Sequence, residues 1–444
     1  MKYYIIGIKG AGLSALALIL NDLGYDVVGY DDEDSHQFTE DKLIERNIKI
    51  YNDANEELDK NCIVVRSSAI KDEHPEIVKA NELGLKIYEY NEMLGKLANI
   101  FELITVAGCH GKTTTSCMLA HVLNDIVGCN YLIGDGEGMA SRDNKKFVIE
   151  ACEYRRNFLV YEPDYAIITN IDLDHVDYFK DISDVIDAYQ AYANKAEKMV
   201  IACGDDPYTH SLEVNKPIFF YGIEEDNDII AKDVEYHTDG TSFDVYVEDN
   251  YYGHFDLPIF GKHMLLNSLA VIAVCYYERL DVKEVVKSLK TFSGAKRRFS
   301  ETKIDDVVIV DDYAHHPSEI RATIKSARQK YPDKKVIAVF EPHTFSRTEE
   351  FADDLAKVFN TIDKTFIMDV FPAREKQEDY PDVNADSIIK LLDNGDYINS
   401  DMVDKLKEFK NAVILFMSPK EIYKLKKAYI DYLEEQNNIK ETSD

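Results

Sequence analysis

The segment Leu103–Thr115 reads LITVAGCHGKTTT. An apolar, β-branched run gives way to two glycines three residues apart, and a lysine and three threonines follow. Such a run is a buried strand, and Gly-Lys-Thr behind it opens a helix whose free N–H groups face the strand's carboxyl end. A helix placed this way leads back across the sheet, so the next strand lies parallel to the first. The segment therefore commits the chain to an α/β fold. It also falls short of the general phosphate loop, G-x-x-x-x-G-K-[S/T]. Five positions before Gly111 stands Val106, and the first glycine, Gly108, is two residues late. Its chemistry is nonetheless that of an anion cradle, with Lys112 as the cation and Thr113 as the hydroxyl that binds Mg²⁺ in loops of this kind.

The same alternation runs along the rest of the chain. KYYII (2–6), a glycine turn at Gly7, Gly10 and Gly12, a helix-period stretch to Leu23 and a strand at 25–30 open a first α/β unit, expected over residues 1–97. The second unit, 98–293, holds the loop above, further strands near 147–149, 165–169, 198–202 and 217–221, an alternating stretch at 229–257 and a long helix at 261–278. The alternation at 229–257 predicts an antiparallel insertion or flank. The third unit, 294–444, has strands at 307–310, 335–340, 364–368 and 412–416, with helices near 317–330, 346–359 and 385–392. The predicted class is α/β in three domains: a Rossmann-like N-terminal domain, a central domain like a P-loop ATPase and a Rossmann-like C-terminal domain.

Composition limits the function. The 444 residues carry a formal charge of −31, which repels polyanions and argues against a general nucleic-acid binder. A small phosphorylated ligand stays possible, since local cations and helix N-termini suffice for it. Seven widely spaced cysteines without a C-x-x-C pair read as free thiols of a reducing cytoplasm, with no zinc-site spacing. No apolar run approaches the length of a membrane span, and MKYYIIGIKGAG reads as a first strand, not a leader. No oligomeric state is specified.

Two more strings belong with the loop. FVIEACE (147–153) is a strand ending in carboxylates, and a carboxylate at a strand end can hold magnesium, which takes oxygen ligands. YAIITNIDLDHVD (165–177) is a strand followed by Asp172, Asp174, His175 and Asp177, at the edge where open parallel sheets bind ligands. A solvated acidic loop would look the same in isolation.

GCHGKTTT, EACE, TNIDLDH, GKHMLLN and DDYAHHP occur in that order, and together they resemble the Mur ligase family. The shortened loop is that family's own form. GIKGAGLSALA, GAKRRF and PHTFSRT extend the likeness from residue 2 to about 425 and place it with the members that act on UDP-N-acetylmuramate and L-alanine. The resemblance implies a cytoplasmic enzyme of peptidoglycan synthesis. It would use ATP and Mg²⁺ to join L-alanine to the lactyl carboxylate of UDP-N-acetylmuramate through an acyl phosphate. Phosphorylation gives the carboxylate a leaving group, and the amine then attacks.

The resemblance also implies roles for residues. Gly10, Ala11 and Gly12 of the first turn, with Ser67 and Ser68, receive the UDP diphosphate, and Asp31 or Asp32 lies near the uridine. Gly108, Cys109, His110, Gly111, Lys112, Thr113 and Thr114 hold the ATP phosphates. Thr113, Glu153 and His175 are metal ligands. Asn267 faces the adenine with His263 beside it, Arg298 reaches the phosphates and Asp312 the ribose. Tyr313, His315 and Arg347 surround the alanine, where arginine suits a carboxylate through its fork of donors. Lys112, His175, His315 and Arg347 carry the chemistry. Departures from the family's pattern are Thr344, where arginine is common, Met264, where asparagine is often found, and Ser418-Pro419-Lys420, in place of a glycine-containing turn. Lys195 is the candidate for the carbamoylation seen in some relatives.

Alternatives have their own signatures. A ligase joining a murein tripeptide to the same sugar nucleotide shares most of these strings. A folylpolyglutamate synthetase would lack the first unit. A silent nucleotide-binding protein would be expected to lose Lys112 or the metal ligands. A NAD-dependent oxidoreductase would need G-x-G-x-x-G, and Gly7, Gly10 and Gly12 do not fit it.

Overall fold

The computed structural model describes residues 1–37, 39–53, 58, 60–134, 136–418 and 422–441. Three sheets follow one another along the chain. The first is all parallel, in the order 49–51, 26–30, 2–6, 62–66, 86–89. Its build direction reverses between Lys2–Ile6 and Cys62–Arg66, which pair in register as Ile6 with Arg66. Such a switch point leaves a crevice between the two outgoing loops. Here those loops are the Gly7–Gly12 turn and Ser67-Ser68. Four of the five residues of KYYII are buried, as expected of a strand covered on both faces.

The second sheet has ten strands. Six parallel ones form its centre, in the order 218–222, 199–203, 165–168, 102–107, 146–150, 129–133. Glu137–Met139 adds an antiparallel edge. At the other end the expected flank appears: Ile229–Tyr236 pairs parallel to the centre, then Thr241–Val247 and Asn250–Leu257 form an antiparallel meander. Thr241, Phe243, Val245 and Val247 are buried and the residues between them are half-buried. This is the period-two burial of a strand with one covered face.

The third sheet runs 300–304, 307–312, 412–417, 335–340, 364–367, 395–397, parallel except for its first strand. Pro317–Lys330 begins with proline at its first turn and a reciprocal cap between His316 and Glu319. The helix expected over 385–392 is a single turn, Asp386–Ile389, because Asn384 and Asn394 bracket a stretch occupied mostly by turns.

The hydrophobic core is divided unequally. One apolar cluster runs from Tyr3 and Leu16 of the N-terminal unit through Leu103, Phe147 and Tyr189 of the central unit without a break. The main clusters of the C-terminal unit draw on residues 299–433 and take in only Val176 from outside. Among the described residues no helix is long and apolar enough to cross a membrane.

Candidate active site

Glu102–Ala107 lies between Tyr165–Ile168 and Lys146–Glu150, so the loops after all three strands meet at one carboxyl edge. Gly108 has φ +141°, and a Cβ there would stand 1.9 Å from Thr169 Oγ1. At Gly111, with φ +84°, a Cβ would stand 2.8 Å from Asn267 Oδ1. Both positions need glycine for conformation and for space. The loop is tied to its neighbour strand: Thr169 Oγ1 and Asn170 Nδ2 donate to His110 O at 2.6 and 2.8 Å, and His110 N–H donates to Asn170 Oδ1 at 2.8 Å.

Lys112 curls back over this loop. Its Nζ donates to Gly108 O at 2.6 Å and Cys109 O at 3.0 Å and stands 2.9 Å from the Glu153 carboxylate. Burial opposes its charge, but Glu153 beside it outweighs that and raises the ammonium well above the usual lysine range. Glu153 is 1% exposed; burial alone would neutralise it, while Lys112 and then His175 hold it ionised. His175, in the left-handed region at φ +52°, places Nε2 3.5 Å from Glu153 Oε1. Thr113 does not join this group directly: its hydroxyl donates to Glu150 Oε1 at 3.1 Å, and Gly134 N–H holds the other oxygen of Glu150. Glu150 is a site residue that motif reasoning passed over, although it is the first carboxylate of EACE. Oxygen donors from Thr113, Glu150 and Glu153 fit a magnesium ion.

The C-terminal unit closes over this edge through the loop Asp172–Asp177. Ser318 Oγ donates to Asp172 Oδ2 at 3.0 Å, an oxygen that is also 3.1 Å from His110 Nε2. Arg347 donates from Nε and Nη2 to Asp174 Oδ1 at 3.1 and 2.7 Å and is buried. Without the family motif, Arg347 reads as a surface cation at a helix start; the fold gives it a buried counter-ion from another unit instead. Glu319 faces His110 at 3.5 Å, Arg298 at 3.6 Å and His315 at 3.5 Å. Its place between these groups was not visible in the motif DDYAHHP, which ends two residues before it.

These charges separate the histidines. Burial disfavours a charged His110, yet Asp172 and Glu319 push it up to about 9. Burial takes His315 down to about 4 and His343 down to about 3. Burial likewise pushes Asp312 up to about 6; its carboxylate accepts from Phe299 N–H, Ala314 N–H and the Thr323 hydroxyl. Tyr313 lies under the Arg298 guanidinium at 5.0 Å.

A cavity of about 1020 Å³ lies between the central and C-terminal units, lined by His110, Gly111, Thr114, Asn267, Arg298 and Asp312 together with His263, Met264 and Glu319. Asn267 Nδ2 is buried there without a hydrogen-bond partner among the described residues. A buried amide donor left open in a large cavity calls for an acceptor on a ligand, and the volume, the glycine loop and the cations fit a nucleoside triphosphate. A second cavity, about 280 Å³, sits at the switch point of the first sheet and is lined by Gly10, Ala11, Gly12, Ser67, Ser68 and Tyr90. Asp31 is not on its wall: its carboxylate accepts from Lys9 N–H at 2.8 Å and Glu33 N–H at 3.1 Å, fastening the turn from behind. Lys195 lies past the helix Ile182–Ala193, 3.8 Å from Glu162, and lines neither cavity. Ser418 donates to Glu341 at 2.5 Å; Pro419 and Lys420 lie outside the described residues.

Three family models match in succession: the Mur ligase family, catalytic domain, over residues 2–102; the Mur ligase middle domain over 106–275; and the Mur ligase, glutamate ligase domain, over 297–423. The chain belongs to the Mur ligase family. Mur ligases are ATP-dependent amide ligases of peptidoglycan synthesis. Among solved structures, the fold is similar to UDP-N-acetylmuramate-alanine ligase MurC from Thermotoga maritima, with TM-score 0.80, 24% identity, 98% of this chain and 100% of that one covered. It is also similar to a murein peptide ligase from Psychrobacter arcticus 273-4, with TM-score 0.69, 23% identity and 98% of each chain covered. A third Mur ligase, the UDP-N-acetylmuramate:L-alanyl-gamma-D-glutamyl-meso-diaminopimelate ligase from Neisseria meningitides, gives 0.56 at 26% identity over 67% of this chain and 99% of that one.

Proposed function

We propose that this Mur ligase joins L-alanine to the lactyl carboxylate of UDP-N-acetylmuramate at the expense of ATP, as a cytoplasmic step of peptidoglycan synthesis. The observation that carries the reading is the meeting of two clusters at one cleft. Lys112, Glu153 and His175 stand on its central side, and His315, His343 and Arg347 on its C-terminal side, joined by the Arg347–Asp174 contact. Phosphoryl transfer and amine attack need these two sets of groups within one substrate length.

In this reading Lys112 exchanges its two carbonyl partners for phosphate oxygens, while Glu153 keeps it charged and aimed. Mg²⁺ bound by Thr113, Glu153 and His175, with Glu150 beside Thr113, would neutralise phosphate charge. Gly10–Gly12, Ser67 and Ser68 hold the diphosphate of the sugar nucleotide. Transfer of the γ-phosphoryl group to the lactyl carboxylate releases ADP, and attack of the amine on the acyl carbon releases phosphate. The amine must be neutral to attack. His315 is suited to accept a hydrogen bond from the attacking neutral amine: Nδ1–H donates to Tyr313 O at 3.0 Å, which leaves the Nε2 lone pair to accept, and burial keeps the ring neutral. Arg347 holds the amino-acid carboxylate.

A murein peptide in place of L-alanine is the second reading, favoured by the nearly equal sequence identity to the murein peptide ligase. Phosphate release from ATP and Mg²⁺ decides between them, with UDP-N-acetylmuramate present and L-alanine, glycine, L-serine or the murein tripeptide added in turn. Release that needs both the sugar nucleotide and L-alanine is the expected result. Release with the tripeptide alone would establish the second reading, and none with any amine would refute both.

A further inference from the structure

Arg374 lies in the loop after the strand Lys364–Ile367 and reaches across the cleft. Its Nη2 donates to Asp177 Oδ2 at 2.5 Å, and its guanidinium lies 4.6 Å from the centre of the Tyr154 ring. The Tyr154 hydroxyl donates to the same oxygen of Asp177 at 2.9 Å. Three groups from two units thus close on one another; of these the sequence strings pointed only to Asp177, and to neither Tyr154 nor Arg374.

The clasp borders the amino-acid end of the cleft. On the central side Tyr154 follows Glu153 directly, and its ring is 4.8 Å from His175. On the C-terminal side the clasp is rooted in the segment that shapes the Arg347 helix. Phe371 stacks on His343 at 5.7 Å and accepts the Thr344 N–H at 2.8 Å, and its own N–H donates to Pro342 O at 2.8 Å. Glu375, next to Arg374, accepts the N–H groups of Phe345 and Ser346 at 2.6 and 3.1 Å, capping the helix Phe345–Phe359 that carries Arg347. Between these holds sits Thr344 at φ +69°, a buried β-branched residue in the left-handed region. Such a residue persists there only where its neighbours over-determine it. Residues 371–375 therefore fix His343 and Arg347 at one end and the opposite wall of the cleft at the other.

We propose that Arg374, held by Asp177 and Tyr154, is a specificity-determining residue that limits the amine substrate to a single small amino acid. This rests on the function proposed above. A free amino acid ends in a carboxylate at Arg347, and nothing of it extends further. A peptide presents an amide at that point and must continue outward past His343, where the Arg374–Asp177 bridge spans the way. Because Arg374 is about half exposed, the bridge obstructs by its position more than by its strength.

The test uses the full chain with Arg374→Ala and Arg374→Lys. Phosphate release that depends on UDP-N-acetylmuramate is measured against increasing L-alanine and against increasing murein tripeptide. In Arg374→Ala the ratio of kcat/KM for tripeptide to that for L-alanine rises about tenfold, the size of a lost steric and polar contact, with KM for ATP unchanged. Arg374→Lys, which keeps the charge but loses the planar stack, restores part of the discrimination. A ratio in Arg374→Ala within twofold of wild type would overturn the proposal, as would a wild-type enzyme that uses the tripeptide as well as L-alanine. Wild-type protein releasing phosphate with neither amine would instead remove the proposed function itself, and the clasp with it.

Discussion

The central unit meets its two neighbours in different ways. Towards the N-terminal unit the contact is apolar and continuous, one cluster reaching from Tyr3 to Leu212. There the helix Ala11–Asp22 approaches the strand Glu137–Met139 so closely that a Cβ at Gly138 would stand 2.6 Å from Ala15 O. Towards the C-terminal unit the contact is polar: Asp172, Asp174 and Asp177 each hold a partner from across the cleft, and Glu319 faces His110. Close-packed apolar surfaces resist sliding. Polar contacts can exchange with water or ligand at small net cost, and polar interfaces between units are the ones expected to move. The difference assigns motion to the C-terminal unit and makes the other two a single body.

Breaking the apolar side should have the largest effect. Phe147 is fully buried in the shared cluster, and Phe147→Ala is expected to cost about 4 kcal/mol. In calorimetry the N-terminal and central units should lose stability together, with the C-terminal transition unmoved; a separate N-terminal transition would contradict the single body. Next is Asp174→Ala, which strands the buried Arg347 guanidinium and is expected to cost about 3 kcal/mol. Its readout is an increased radius of gyration in solution scattering, which Phe147→Ala should not produce in the folded protein. An unchanged scattering profile would mean that Asp174 does not hold the cleft shut. The smallest effect is that of pH on the His110 bridge. The fold raises this imidazole from 6.5 to about 9. A raised histidine stabilises fully below its unfolded value, and that contribution is lost as pH climbs through the folded one. Between pH 6.5 and 9 the closed form should therefore lose stability relative to a His110→Gln variant, and parallel curves for the two would sever His110 from closure.

Much of the site was legible because phosphate chemistry is local. Gly108, Gly111, Lys112 and Thr113 lie within six residues, and a strand before and a helix after them suffice to place them. The antiparallel flank at 229–257 was legible for the same kind of reason, since alternation shows in the string itself. Short edge strands such as Lys49–Tyr51, Glu137–Met139 and Gly395–Tyr397 were not. Three residues carry no period, and they are strands only because a neighbour offers free hydrogen-bonding groups. Glu150, Glu319 and Arg374 were missed as site residues, and Asp177 was seen without its partner, for a related reason. Each is an ordinary charged residue whose meaning comes from a partner 37 to 209 positions away.

The sequence by itself determined the α/β class, the glycine-bound phosphate loop and the types of group available for catalysis, because these depend on backbone geometry and side-chain chemistry over a few residues. Tertiary structure alone decided that Arg347 is buried against Asp174, that His110 is held charged while His315 is held neutral, and that one of the two interfaces is polar. Those outcomes depend on distance and on exclusion of water, and neither exists until remote segments have packed.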